Sequence, residues 1–423
     1  MSELNIRKRG TKWEYRFEGA KIDGKRKQIT KGGFKTQKEC LKAGTQALHE
    51  YNNTGIAFEP VEISVNDYLN YWFDNYCVIN LKYNTQLGYL GIINNHLIPN
   101  FGMYKLKALN TTALQEYANS LKLNGYSKSH IIGILTTFSE ALDYAIEPLH
   151  YIKENPMRFV KFPKVEIKKR ERIVLTKEEY RAILKRFENT RFYLPIVIGY
   201  HTGFRISETM GLTWDNIDFK NSEIKLEHQL CKRNFGNDVR KILEKKNKKE
   251  LHSAWYFTSL KTESSERTIQ IDSVLLNLLK EEKAKQLANE LKYGEFYTIY
   301  VQKVEKDKKG NDIIRLLPIQ KCVESTLPRA NLVCTEENGI LTTPDSFKYC
   351  TRIIHHDMKI AFDYHSLRHT HATMLIENNA DIKDVQERLG HKRIETTLGT
   401  YVKNTKKMKN HSIKIFEKAI NDD

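Results

Sequence analysis

The chain of 423 residues has no apolar run approaching the roughly 20 residues that a membrane-crossing helix needs, and no apolar signal segment opens it. Its six cysteines (Cys40, Cys77, Cys231, Cys322, Cys334 and Cys350) lack short paired spacing. That argues against a disulfide framework or a zinc finger and fits a reducing interior, so the expected location is the cytoplasm or the nucleoid, with no membrane partner. Acidic charge is also in deficit: 52 Asp and Glu stand against 69 Lys and Arg, a net charge of +17. Such a surplus points to a polyanionic partner, nucleic acid ahead of a membrane surface. The length allows two or three domains with real cores.

A nucleotide-binding loop is absent too. Gly19 to Lys25 spells most of a phosphate loop, but Arg26 stands where Ser or Thr would bind magnesium, and a strand hairpin surrounds it. Lys12-Trp-Glu-Tyr-Arg-Phe-Glu alternates aromatic with charged residues, as a half-buried strand does. Asp23-Gly24 reads as a turn, and Lys25 to Thr30 as a further strand. Thr36 is placed to cap a helix over Gln37 to Tyr51. Residues 1–55 carry 13 Lys or Arg against 6 acids, so a small basic sheet able to lie in a DNA groove is expected there, with Lys12, Arg16, Lys25, Arg26 and Lys27 as contacts.

After a linker, residues 62–162 read as four helices: Ser64 to Tyr76, Thr85 to Leu97 (stopping before Pro99), Thr111 to Leu123 and Ser127 to Ile146. Ile131, Ile134, Leu135, Phe138, Leu142 and Ala145 form a core stripe on the last. A basic tether follows that suits a clamp passing along a polyanion, with Lys168, Lys169 and Arg170 as expected DNA contacts. The third domain, 170–423, opens with a capping box at Thr176 and Glu179. In Thr202-Gly203-Phe204-Arg205-Ile206-Ser207-Glu208, the glycine turns the chain so that Arg205 opens a helix and faces an anion, or pairs on the surface with Glu208. Lys261 is expected at the turn of a hairpin whose strands hold Leu260 and Arg267 to Ile271. Residues 231–253 read as an extended or mobile hairpin, and 295–330 as an insertion that is strand-like at first and then Lys-rich.

The densest chemistry lies between His365 and Tyr401. His365 and Arg368 are one helical turn apart, Gly390 ends the next helix and presents His391, and Tyr401 follows ten residues later. Arginine is a permanent planar fork for phosphate oxygens, and histidine donates to the same oxygens or moves a proton. A tyrosine, with a free pKa of about 10, attacks only with cationic help. Together the set suggests attack of a tyrosine on a phosphodiester. A zinc site on His365, His369 and His371 is a rival reading. It lacks the Glu after His365, Arg368 would repel a cation, and His369 reads better as a packed core histidine.

Thr202-Gly-x-Arg205-x-Ser-Glu208, Lys261-Thr, His365-x-Leu-Arg368-His-Thr, Leu389-Gly-His391 and Tyr401 occur in that order, and with them the whole chain resembles the tyrosine recombinases, in particular the integrases of temperate phages and conjugative transposons. The resemblance implies a multidomain, mainly α fold with small β-sheets: an arm-binding β-sheet domain, a four-helix SAM-like core-binding domain ending near Asn155-Pro156, and an α+β catalytic domain. It implies that Tyr401 is the nucleophile, that Arg205 and Arg368 clamp the non-bridging oxygens, that His365 and His391 complete the shell, that Lys261 protonates the leaving oxygen and that Glu208 supports the site. No cofactor, metal or ATP is called for. The implied partners are double-stranded DNA at attachment sites or element ends, three further copies of the chain in a homo-tetramer on DNA, and an excisionase or host DNA-bending protein as auxiliary. A non-catalytic DNA-binding regulator on the same scaffold is the alternative, and a supercoil-relaxing relative a further one. The tail holds Ile413, Ile415, Phe416 and Ile420 at helical spacing, suited to docking on a neighbouring protomer or on its own domain.

Overall fold

Aromatic–charged alternation in the first fifty residues produces a three-stranded antiparallel sheet in the order β1 (Asn5–Arg9), β2 (Lys12–Ile22), β3 (Lys25–Phe34). The structure, a computed structural model, describes residues 4–22, 25–54, 62–165, 172–234, 238–240, 253–260 and 265–395. The chain divides into two units, Met1–Lys168 and Lys169–Asp423, described separately below. In the first unit, Tyr15 and Phe17 on one face of β2 pack against Cys40 and Ala47 of helix α1 (Gln37–Thr54). Thr36 caps that helix by accepting from the Glu39 N–H at 3.2 Å. The opposite face aligns Arg7 with Glu14 and Gly32, and Asn5 with Arg16 and Thr30. The expected turn at Asp23-Gly24 lies outside the described residues.

The helical part holds α2 (Val65–Trp72), α3 (Tyr83–Ile92), α4 (Thr111–Leu123) and α5 (Lys128–Ile146). Helix α2 is longer than its sequence suggests, running on through a widened turn (Phe73–Cys77) to Val78–Asn80. Helix α3 does not stop before Pro99 either; it passes through a widened turn (Ile93–Leu97) into Ile98–Phe101. There Ile98 N–H donates five residues back to Ile93 O, and Pro99 enters at the start of the last segment, where its missing N–H costs little. The expected stripe of α5 is buried throughout. Asn155, fully buried, ties the end of this unit to α5: its amide nitrogen donates to Ser139 O (3.1 Å), Ser139 Oγ (3.0 Å) and Asp143 Oδ1 (3.0 Å). Its Oδ1 accepts from Met157 N–H at 2.9 Å, so every polar edge of the side chain is used.

The second unit contains α6 (Lys177–Phe187), α7 (Tyr193–Thr202), α8 (Ile206–Met210), α9 (Ser273–Tyr293), α10 (Pro344–His356), α11 (Tyr364–Glu377) and α12 (Ile382–Leu389). Thr176 and Glu179 form the expected capping box on α6. Helix α7 is apolar on every side and buried, with Leu194, Ile196, Val197 and Ile198 in the core. Helix α11 lies directly on it. A Cβ at Gly199 would stand 2.7 Å from Tyr364 Oη and 2.9 Å from Leu367 Cδ1, so only glycine permits this approach. Burying a side chain such as Leu367 contributes about 1.5–3 kcal/mol.

Among the described residues, eight strands complete the unit: β4 (Ile217–Asp218), β5 (Glu223–Leu226), β6 (His228–Arg233), β7 (Ala254–Ser259), β8 (Arg267–Gln270), β9 (Thr298–Lys306), β10 (Asp312–Gln320) and β11 (Arg329–Ala330). They form two antiparallel sheets, ordered β4-β5-β8 and β11-β9-β10-β7-β6. The expected pairing across Lys261 does not occur. β7 pairs with β6 and β10, whereas β8 pairs with β5, so the strands flanking Lys261 belong to different sheets. Of the stretch 231–253, residues 231–233 end β6 and most of the rest lies outside the described residues, whereas 295–330 supplies β9, β10 and β11 to the same five-stranded sheet. Its Leu230, Phe257 and Leu316 join the main core. Among the described residues no helix is long and apolar enough to cross a membrane.

Candidate active site

Two glycine turns build the site. Gly203 ends α7 with φ 69° and Gly390 ends α12 with φ 66°, both in the left-handed region where a Cβ is costly. The first turn delivers Arg205 to the N-cap of α8, and the second delivers His391. The Gly203 turn is also crowded: a Cβ there would lie 2.9 Å from Leu389 Cδ2 and 3.0 Å from His371 Cδ2.

Glu208 sits at the centre, 1 % exposed. Its Oε1 accepts from Arg205 Nη1 at 2.6 Å, and its Oε2 from the Arg205 backbone N–H at 3.0 Å and Arg267 Nη2 at 3.1 Å. The Arg205–Glu208 pair foreseen in the sequence is therefore a buried anchor and not a surface contact. Burial works to raise the Glu208 carboxyl, but Arg267, Arg205 and Arg368 outweigh it and hold it below the usual carboxylate range. Three guanidinium charges thus surround a single carboxylate, leaving positive charge for a further anion.

Arg368, on α11, is 1 % exposed. It donates through Nη1 to Gly203 O (2.8 Å) and through Nη2 to Leu389 O (2.6 Å), and its Nη2 lies 2.8 Å from His391 Nε2. A guanidinium cannot accept, so Nε2 of His391 accepts and the neutral ring carries its proton on Nδ1. Burial lowers the His391 pKa to about 4, with Arg368, Arg205 and Arg267 adding to the effect. His365 opens α11 at the surface, with its ring centroid 5.1 Å from that of His369. The protein beneath it, then Arg368 and Arg205, hold its pKa below the ordinary value, while Asp363 opposes them. At neutral pH it is an uncharged imidazole able to take a proton.

The structure therefore forms two bonded pairs, Arg205 with Glu208 and Arg368 with His391, with Arg368 close enough to Glu208 to lower its pKa and His365 one turn from Arg368. Lys261 and Tyr401 lie outside the described residues, as do Lys168, Lys169, Arg170 and the tail from 411 to 420. Lys12 and Arg16 stand on β2. Lys25, Arg26 and Lys27 are on β3, where only their backbone is described. Sequence reasoning missed Arg267, Arg388 and the role of His371. Arg267 donates Nε–H to Arg388 O at 2.7 Å and Nη1–H to Ser265 O at 2.9 Å, with Phe204 beneath its plane at 5.1 Å. His371 donates from Nδ1 to Tyr200 O (2.9 Å) and accepts at Nε2 from Arg388 Nε (2.9 Å). Burial, then Arg388, push its pKa to about 3. Both its nitrogens are committed, and among the described residues no three His, Cys, Asp or Glu side chains converge as metal ligands. His369 is only half-buried, short of the packed core role expected for it.

Comparison with known proteins adds three matches along the chain. Residues 173–408 match the model of the phage integrase family, 64–122 that of the phage integrase N-terminal SAM-like domain, and 5–51 that of the Arm DNA-binding domain. A tyrosine recombinase XerC-like protein of Caldanaerobacter subterraneus subsp. tengcongensis is 26% identical over 388 residues, 90% of this chain and 89% of that one. The ICEBs1 integrase of Bacillus subtilis is 23% identical over 329 residues, 77% of this chain and 75% of the relative. Among solved structures, a Tn1549 transposon integrase in complex with a circular intermediate DNA aligns at a TM-score of 0.59 and 21% identity, covering 84% of this chain and 99% of that one. A lambda integrase tetramer bound to a Holliday junction aligns at 0.52 and 15%, covering 95% and 97%. These structural likenesses establish the fold.

Proposed function

The chain belongs to the phage integrase family, and from that premise we propose which residues break and rejoin DNA, and how. It is a tyrosine-type site-specific DNA recombinase. Tyr401 attacks the scissile phosphorus: the Tyr401 Oη–P bond forms, the P–O5′ bond breaks, and a 3′-phosphotyrosyl link and a 5′-hydroxyl result. His365 takes the tyrosine proton and Lys261 gives one to the leaving 5′-oxygen. Arg205 and Arg368 hold the non-bridging oxygens, with His391 donating beside them and Glu208 fixing Arg205. The observation that supports this assignment is the pair of bonded contacts, Arg205 with Glu208 and Arg368 with both the Gly203 carbonyl and His391, drawn from stretches far apart in sequence. Charge accumulates on the phosphorane oxygens, so donors held in place before the reaction have most effect there, and removing one costs roughly 10²–10³ in rate. The covalent link conserves the phosphodiester's free energy, and rejoining to a partner strand needs no ATP.

In the same reading, residues 1–55 bind arm DNA through Lys12, Arg16, Lys25, Arg26 and Lys27, residues 62–162 bind core DNA, Lys168, Lys169 and Arg170 contact DNA from the tether that leads into the catalytic domain, and 170–423 carry the chemistry and the tail. Four copies act on two attachment sites or element ends in the cytoplasm, at the nucleoid, through a Holliday junction, with an excisionase or host DNA-bending protein as auxiliary. The test is a suicide DNA substrate nicked beside the scissile bond. The native chain forms a covalent adduct without metal or ATP, and Tyr401→Phe forms none. Tight, salt-sensitive binding with no adduct on several candidate sites would favour the non-catalytic regulator.

A further inference from the structure

Arg267 is absent from the set of residues assigned to the reaction, yet its guanidinium bonds Glu208, the end of α12 and Ser265. It is buried at the start of β8, with its side chain 7 % exposed. Each edge of its guanidinium meets a different part of the chain. Nη2 reaches Glu208, which holds Arg205; Nε reaches Arg388 O in the last turn of α12, two residues before the Gly390 turn; Nη1 reaches Ser265 O at the end of the segment containing Lys261. Arg368 bonds the next carbonyl of α12, Leu389 O, together with His391. The two arginines therefore cap successive carbonyls of the same helix end, one from the Arg205 side and one from the His391 side.

We infer that Arg267 is a positioning residue for strand cleavage: it fixes the distance between Arg205 and the His391 turn and anchors the end of the Lys261 segment, without touching the DNA itself. The inference rests on the assignment of Arg205, Lys261 and His391 above. A planar fork with five donors is required for this task. Lysine would supply the charge that balances Glu208, but a single ammonium on a flexible stem cannot hold three acceptors on three elements. Phe204 beneath the guanidinium fixes its plane further.

The experiment compares the full chain with Arg267→Lys, Glu208→Gln and the double variant on the suicide substrate. It measures the DNA dissociation constant, the single-turnover rate of adduct formation at saturating DNA, and the melting temperature. Arg267→Lys is expected to keep the native dissociation constant and melting temperature while the saturated rate falls roughly tenfold to hundredfold, the scale expected from misplacing groups by about 1 Å. Because both single variants break one bridge, the double variant is expected to be no slower than the slower single one. A native rate in Arg267→Lys would overturn the inference, since charge alone would then suffice. Loss of rate only in proportion to loss of folded protein would overturn it in favour of a purely structural role, and so would fully additive effects in the double variant. Should Arg267→Lys not fold, a Glu208→Gln chain that folds and cleaves at the native rate would overturn it equally. If the native chain itself gives no adduct, the catalytic assignment fails and not this inference alone.

Discussion

Among the described residues, two nearly buried glutamates, Glu14 and Glu208, are flanked by arginines, and they differ in what surrounds the arginines. On the arm sheet, Glu14 is 4 % exposed: it bonds Arg7 and lies 3.7 Å from Arg9, and Gly32 on β3 leaves room for it. The Arg7 hydrogen bond holds its carboxyl below the usual range. Those two arginines remain open to solvent, with side chains 52% and 80% exposed. Around Glu208 the corresponding figures for Arg205 and Arg267 are 26% and 7%, and Arg267 and Arg368 also bind backbone carbonyls. An exposed guanidinium held by one carboxylate can adjust to a phosphate backbone and is screened by salt. Guanidiniums locked by several bonds away from water keep their direction and act more strongly on charge that develops later. Under the proposed function, one carboxylate–arginine chemistry would serve binding in the first place and catalysis in the second.

The largest expected effect breaks the second region alone. Arg205→Ala should slow adduct formation at saturating DNA by roughly 10²–10³, read by single-turnover kinetics, while gel-shift affinity changes little. Next in size is His371→Ala. It leaves Tyr200 O and the Nε–H of Arg388 without their His371 partner, so urea unfolding should show a loss of about 1–3 kcal/mol. The histidines also predict a pH dependence. In the fold the pKa values of His369, His371 and His391 lie at about 4, 3 and 4, below an unfolded value of about 6.5. Between those limits the unfolded chain binds more protons, so stability falls as pH drops from about 6.5 toward 4. His371→Asn should flatten that slope, as measured by melting temperature across the window. The smallest effect sharpens the arm side: Arg7→Ala should reduce the salt slope of DNA binding by about one, with stability changed by under about 0.5 kcal/mol.

Local codes were legible in the sequence. Gly203 and Gly390 announced left-handed helix ends, Thr176 with Glu179 announced a cap, and the stripe from Ile131 to Ala145 announced a buried face. The order of motifs gave the three-part architecture, since each motif is short and self-contained. What failed was long-range pairing. Arg267 was invisible because its partners lie 59 and 121 residues away, and the His371 carbonyl partner lies 171 residues away. The same blindness made β7 and β8 look like one hairpin, although β7 pairs with β10 from a stretch that read as a separate insertion. Pro99 misled for a different reason: a widened turn accommodates a residue that an ideal helix would reject.

The most direct test of the division between the two regions uses Glu14→Gln and Glu208→Gln on the same suicide substrate, measuring the dissociation constant and the saturated cleavage rate for each. Glu14→Gln should weaken or alter arm binding and leave the saturated rate native, whereas Glu208→Gln should keep binding and lose rate. A slowed saturated step in Glu14→Gln, or weakened binding at full rate in Glu208→Gln, would contradict the account.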